Sequence, residues 1–501
     1  MPDTQEFFLS LDIGTTSIKV TIFDKKGNLV ESAIKEYKLL TPTEDVVELD
    51  AETYWTCCVA GIREILAKPG VSPQLVKSIG VCSQGETVIV VGKSGRPLRK
   101  AIVWMDNRSQ KEADEIRDVF GKDNTTGQID VLATWPVTKI LWLRKHEPDV
   151  YRKAWKYILV EDYILYRLTG GFDGEYSLYC SSYMLDIVNK QWWREILDFA
   201  GISPDQLVKL HESGEIIGVL QPAAASELGM PAGIPVVTGA MDQVAAMIGA
   251  GSIEEGIVTE TIGAALVICE TLKEIPKKKQ SGMTVQYHAI PDMYLILGWI
   301  TAGGMSFKWL RDTFFTHEKE NSEKEKKDPY DAMTEMAKNI PIGSQGLVFM
   351  PFMAGPGTLR IKQALRGIFY GVELHHTKAH FARAVMESLA FAGRQILDEM
   401  AALGYAYKEI RSLGGGSKSR LWNQIRSDVL GKKLITMKYP ESASLGVAIL
   451  QACATGVYPD IKTAVNNMVQ VSSVVEPIEK HAASYKIAYE RYLNIAKNYF
   501  I

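Results

Sequence analysis

The stretch FFLSLDIGTTSIKVTIFDKKGNLV, residues 7–30, decides how the chain folds. An apolar run at 7–11 reads as a buried strand and stops at Asp12. Gly14, Thr15, Thr16 and Ser17 make a turn, and a β-type pattern resumes over 18–24. Packing alone gives little reason to end a buried strand in small hydroxyl residues; holding a phosphate does. Gly14 lets the backbone approach closely, and Thr15, Thr16 and Ser17 offer N–H and O–H donors. Asp12 would repel a phosphate unless a divalent cation sat between them, and Mg²⁺ accepts one carboxylate plus phosphate oxygens. A plain hairpin with an Asx-type turn at Asp12 is the competing reading.

Working outward, strand-like and helix-like segments alternate. Residues 52–67, 109–119 and 136–146 read as helices. Residues 77–82, 87–92 and 234–238 read as strands, with Lys93-Ser94-Gly95 as a hairpin turn. The pattern then restarts: GIVTETIGAALVICE, 256–270, is again strand, small-residue turn and strand. Helices follow at 303–314 and 378–400, and the charged run HEKENSEKEKKD, 317–328, reads as a solvated loop or helix end. The reading is α/β layering in two domains, 1–250 and 251–501, each opening with a hairpin.

The bulk numbers restrict the partners. With 501 residues, 46% hydrophobic and 23% charged, the chain is ordinary globular material of two-domain size. A net charge of −3 argues against nucleic acid or a membrane surface as the main partner. No apolar run reaches the roughly 18 residues of a membrane span, and no signal peptide is read at the N-terminus. Cys57, Cys58, Cys82, Cys180, Cys269 and Cys453 lack metal-site spacing. A cytoplasmic protein is the expectation.

Three further constellations carry chemistry. Gly414-Gly415-Gly416, between a strand and a helix, could lay a flat ligand against backbone or make a tight turn. Asp242, in TGAMDQ, follows a strand and precedes a helix; it suits an N-cap or a general base. Gln84, Glu86, Trp104, Asp106 and Arg108 flank apolar strands. Amide, carboxylate and indole groups suit a polyhydroxylated ligand, although Trp104 alone would also serve as core.

The order of these features is more specific than any one of them. DIGTTS near the N-terminus, AIVWMDNR near 100, GAMDQ near 240 and GGGS near 414 resemble the FGGY carbohydrate kinase family. TAGGMSFKWLRD, 301–312, and ESASLGVAILQACATGVY, 441–458, are similar to its later segments. The resemblance implies two actin-like (RNase H-like) domains around a catalytic cleft, with ATP and Mg²⁺ as cofactors and a homodimer as a possible assembly. It implies Asp12 at the Mg²⁺–ATP phosphates and Gly14, Thr15 and Thr16 in a first phosphate loop. Thr261 and Gly263 would form the second loop, although the family's usual Gly-Thr pair is replaced here by Glu260-Thr261-Ile262-Gly263. Gly303 and Gly304 would lie near the phosphates or ribose, and Gly415, Gly416 and Ser417 at the adenosine. Asp242 would be the catalytic base.

By the same resemblance Gln84, Gly85, Glu86, Trp104, Asp106, Asp242 and Gln243 would meet a small-molecule acceptor. SQGET is similar to the glycerol kinase pattern but has Gly85 where an arginine would stand, which leaves room for a larger acceptor. GGGSKSRLWNQIRSDVLG is closer to the xylulokinase branch. The expected acceptor is a linear sugar, ketose or polyol of about four to six carbons. The alternatives are a glycerol kinase-like polyol kinase, a non-catalytic nucleotide-gated sugar-binding protein, and an actin- or chaperone-like ATPase.

Overall fold

The computed structural model describes residues 6–121, 131–276, 282–355, 357–359 and 366–500. Two sheets organise them. The first has strands Phe7–Ile13 (β1), Ser17–Asp24 (β2), Leu29–Glu36 (β3), Val76–Ser83 (β4), Ile216–Val219 (β5) and Pro235–Met241 (β6). Their spatial order is β5-β6-β4-β1-β2-β3. The hairpin partners are antiparallel, whereas β1, β4 and β6 run parallel and β5 closes the edge antiparallel. Every residue of β1 is buried, as expected of a central strand covered on both faces.

The second sheet has Ile257–Ile262 (β7), Leu266–Leu272 (β8), Thr284–Tyr287 (β9), Tyr294–Ile300 (β10), Glu409–Leu413 (β11), Leu434–Met437 (β12) and Val471–Val475 (β13). Its order is β9-β10-β8-β7-β11-β12-β13. The scheme is the same: antiparallel strands on one side of β7, two parallel strands on the other, and an antiparallel edge. The echo between residues 7–24 and 256–270 is therefore an equivalence of position, since β1 and β7 hold the same place in their sheets.

Five helices position the site: Asp242–Gly249 (α1), Gly303–Phe314 (α2), Lys378–Ala402 (α3), Arg420–Leu430 (α4) and Ser442–Ala454 (α5). α1 and α5 cross with backbones in contact. A Cβ on Gly249 would sit 1.8 Å from the Ser442 carbonyl oxygen, and one on Gly446 would sit 1.8 Å from that of Ala245. Although α5 lies near the end of the chain, it packs on the first sheet. Its buried Gln451 donates through Nε2 to the Leu9 carbonyl and to Ser10 Oγ, both at 3.1 Å, and accepts from Ser78 Oγ at 2.8 Å. Residues from both sheets, among them Leu9, Val81, Cys269 and Leu297, share one apolar cluster with Leu445 and Ile449 of α5.

The charged run, read as a solvated loop or helix end, carries a helix of its own. Residues Thr316–Lys324 form a helix, and Asp328 caps the next one, Pro329–Lys338, by accepting from the Tyr330 N–H at 2.9 Å. Polar and charged side chains at every position keep the first helix largely exposed without preventing its backbone from coiling.

Candidate active site

Asp12 lies near the end of β1, paired with Cys82 on β4, and Ser83 pairs with Met241 on β6. Three parallel strands thus end at one level. β1 and β6 are two strand spacings apart, about 10 Å. Asp242 is the first residue of α1, immediately after β6, so both acids open into the space above the strand ends. Asp12 is 7% exposed and Asp242 is half-buried. The two carboxylates feel each other: burial, and then the charge of Asp12, push the Asp242 pKa up to about 7. Burial also raises that of Asp12, opposed by the Lys19 ammonium at 3.5 Å. Asp242 is not the helix cap, which is Met241; its Oδ1 accepts from the adjacent Gln243 N–H at 2.7 Å.

The turn after β1 is held from outside. The Tyr37 hydroxyl donates to the Gly14 carbonyl, and the Tyr37 N–H donates to the Thr16 carbonyl at 3.0 Å. Trp104 Nε1–H donates to Thr15 Oγ1 at 2.9 Å. Because that oxygen accepts from Trp104, its own proton remains to be given to a ligand oxygen. Trp104 is half-buried at the edge of the core and not inside it.

Gln84, Gly85 and Glu86 leave the end of β4 beside this turn. The Gln84 N–H bonds the Ile13 carbonyl at 2.9 Å and its Nε2 donates to the Tyr54 hydroxyl at 3.2 Å. Its Oε1 is buried and has no partner among the described residues. A Cβ on Gly85 would meet Ser181 Oγ at 3.3 Å and Met241 Sδ at 3.5 Å. Glu86 takes a left-handed conformation, φ +60°, strained for a residue with a Cβ. Burial raises its pKa, against the Ser181 hydroxyl and the charge of Lys139.

Asp106 departs from its expected role at the ligand. It is fully buried, and both oxygens are taken. Oδ2 accepts from the Val47 N–H at 2.6 Å and Arg108 Nη2 at 2.7 Å; Oδ1 accepts from the Arg108 N–H at 3.1 Å and Nε at 2.8 Å. Its place is under the Trp104 segment. Lys139, unmarked in the sequence reading, is equally buried. Its ammonium donates to the carbonyls of Glu86 at 3.0 Å, Val103 at 3.1 Å and Trp104 at 3.5 Å, tying the two ligand-side segments together. Burial pushes its pKa down.

On the second sheet, Thr261 is half-buried one residue before the end of β7, and Gly263 is exposed in the turn to β8. α2 begins against that turn: Gly304 N–H donates to the Gly263 carbonyl at 2.9 Å. A Cβ on Gly303 would lie 2.3 Å from the Leu266 nitrogen, and one on Gly304 would lie 2.2 Å from the Gly263 oxygen. After β11, Gly414 has φ +74°, and a Cβ on Gly416 would meet that of Ile262 at 2.7 Å. The Ser417 hydroxyl closes this loop by donating to the Gly414 carbonyl at 2.7 Å. A cavity of about 740 Å³ opens beside the three converging segments, lined by Gly263, Gly304, Met305, Tyr330, Gly415 and Gly416, among others. Tyr330 stacks on Phe307 with ring centroids 5.6 Å apart. No motif in the sequence marks Tyr330, Asp331 and Thr334, which lie just beyond the charged run.

Residues of the two sheets share one apolar cluster, and the charge of Asp242 reaches the second sheet. Asp242 adds to burial in raising the pKa of Cys269, on β8 of the second sheet, to about 12. The acids Asp12 and Asp242 and the hydroxyl donors of the turn after β1 thus sit at the strand ends of the first sheet, and the aromatic-lined cavity opens beside the second. Comparison with known proteins gives the same picture over the whole chain. Residues 7–249 match the N-terminal domain of the FGGY family of carbohydrate kinases, and residues 265–455 match its C-terminal domain. A xylulose kinase from Staphylococcus epidermidis is 31% identical over 493 residues, covering 98% of this chain and 97% of that one. A gluconokinase from Bacillus subtilis is 29% identical over 498 residues, covering 98% and 96%. The crystal structure of a gluconate kinase from Lactobacillus acidophilus superposes with a TM-score of 0.88 at 25% identity, covering 99% of this chain and 98% of that one. Two sheets of one topology, a carboxylate at the end of β6 and matches to both domain models lead to one conclusion: the chain belongs to the FGGY family of carbohydrate kinases.

Proposed function

We propose that the protein transfers the γ-phosphoryl group of ATP to a hydroxyl of a linear sugar, with xylulose or a ketose like it as the acceptor. The observation that carries this reading is the pair Asp12 and Asp242, set at the same end of β1 and β6 and coupled through space. The relative of highest quoted identity, a xylulose kinase, supports the choice of acceptor. Gly85 supports it too, since no guanidinium stands there to pair with the hydroxyls of a three-carbon acceptor.

In this reading Asp242 accepts the proton of the attacking hydroxyl. With a pKa of about 7 it is basic enough to do so and is substantially ionised at neutral pH. Gln84 and Glu86 orient the acceptor, Gln84 through the buried Oε1 that lacks a partner among the described residues. Trp104 gives the sugar carbons an apolar face. Thr15 and Thr16 face the phosphates from the first lobe, and Thr261 and Gly263 from the second. Gly303, Gly304, Gly415, Gly416 and Ser417 shape the nucleotide's slot. Positioning and electrostatics carry most of such a reaction.

The residues fit Mg²⁺. No group of three or more potential ligands occurs among the described residues, and Asp12 is a buried carboxylate opposed by the Lys19 ammonium at 3.5 Å. That suits a cation held by one carboxylate, phosphate oxygens and water. Bound at Asp12, Mg²⁺ would neutralise phosphate charge. We also place the division between domains near residue 250, with α5 returning to the first lobe.

The test is an ADP-release assay with ATP, Mg²⁺ and xylulose, ribulose, gluconate, erythritol or glycerol. Xylulose-dependent release is expected. Release with glycerol or gluconate alone would replace the acceptor, and acceptor-independent release would indicate an ATPase.

A further inference from the structure

We propose that the buried ion pair Glu260–Arg426 is a positioning device for the nucleotide-binding loops. The proposal rests on the kinase reading above and adds two residues to it. Glu260 stands beside Thr261, where the family pattern has a small residue, and a carboxylate there needs an answer. The fold supplies one. Arg426 Nη1 donates to Glu260 Oε2 at 2.6 Å, with the two side chains 0% and 1% exposed.

The guanidinium does more than neutralise. Its Nη2 donates to the Gly416 carbonyl at 3.3 Å and to Asn423 Oδ1, and Asn423 Nδ2 donates to the Ser417 carbonyl at 2.8 Å. One planar group therefore joins the strand entering the Thr261–Gly263 turn to the backbone of the glycine loop. Both segments border the 740 Å³ cavity. Glu260 points away from that cavity, towards α3, where a Cβ on Gly393 would come within 3.4 Å of its Oε1.

Stability does not explain the pair, because apolar residues of similar size often replace a buried ion pair without loss. A rigid fork spanning two loops does explain an arginine, since a lysine offers a point charge without fixed geometry. The pair sets the distance between the Thr261–Gly263 turn and the Gly414–Ser417 loop, and so the affinity for the nucleotide. The acceptor side, on the first sheet, is out of its reach.

The experiment is calorimetric titration of ADP into the wild type, Arg426→Lys and the double variant Glu260→Met/Arg426→Met, with thermal melts and acceptor KM as controls. Both variants should fold, bind ADP about tenfold more weakly and keep an acceptor KM within about twofold of wild type. Wild-type ADP affinity in the folded variants would overturn the proposal. Loss of the fold in both would make the pair structural and overturn it as well. A wild type that binds no ADP would overturn the kinase reading beneath it.

Discussion

At the scale of single residues, Asp242 controls the pH response. Burial and Asp12 both penalise its anion and place its pKa at about 7. A base works when deprotonated, so kcat/KM for the acceptor should climb as pH rises from 5 and level off above about 7. A profile flat from pH 5 to 8 would remove Asp242 from the role. Lys139 offers a second test. Lys139→Met strands the buried carbonyls of Glu86, Val103 and Trp104. Each such loss costs about 1–3 kcal/mol, enough to raise the acceptor KM about tenfold while the ATP KM stays put. Equal changes in both constants would show Lys139 to be general scaffold.

Asp162 gives a stability signature. It is buried, its Oδ1 lacks a partner among the described residues, and burial lifts its pKa from 3.8 to about 7. The folded protein keeps this proton when the unfolded chain has lost it. Stability is therefore lost as pH rises between about 4 and 7, and the loss persists above. Asp162→Asn should flatten the fall in Tm between pH 5 and 8 relative to wild type. Parallel pH curves would contradict this. Residues of this kind were the least legible beforehand. Asp12 and Asp242 sit in marked turns, whereas Lys139 and Asp162 lie inside ordinary helical patterns and matter only through what packs around them. Asp106 misled for the same reason: its letter suits a ligand, but Arg108, two residues on, takes its carboxylate.

At the scale of elements, glycine runs determine how closely three segments meet. Gly304→Ala would drive a Cβ to 2.2 Å from the Gly263 carbonyl oxygen, backbone that cannot yield without moving the turn. Nucleotide affinity should drop by about tenfold or more with acceptor binding intact; unchanged ADP affinity would exclude Gly304 from the slot. The strands within 7–24, 77–82, 234–238 and 256–270, the glycine turns and the helices read at 303–314 and 378–400 were legible, because period and punctuation are local. The helix over the charged run was not, because nearly uniform polarity leaves no apolar period to read. Nor was the return of α5 to the first sheet, which depends on Gln451 meeting Leu9, 442 positions away.

At the scale of the whole molecule, α5 comes from the second half of the chain, packs on the first sheet and crosses α1 with glycines at the contact. Water competes with the acceptor for the phosphoryl group, so the lobes should close when both ligands bind. Small-angle scattering should show a smaller radius of gyration with acceptor and a non-hydrolysable ATP analogue than without; equal radii would count against closure. Among the described residues no helix is long and apolar enough to cross a membrane. The central claim is that Asp242 takes the acceptor's proton while the opposite lobe holds the nucleotide. The most direct measurement compares acceptor-dependent ADP release by the wild type and by Asp242→Asn, with ADP affinity measured in both. The account predicts turnover lower by about 10²- to 10⁴-fold with nucleotide affinity retained. Near-normal turnover in the folded variant would contradict it.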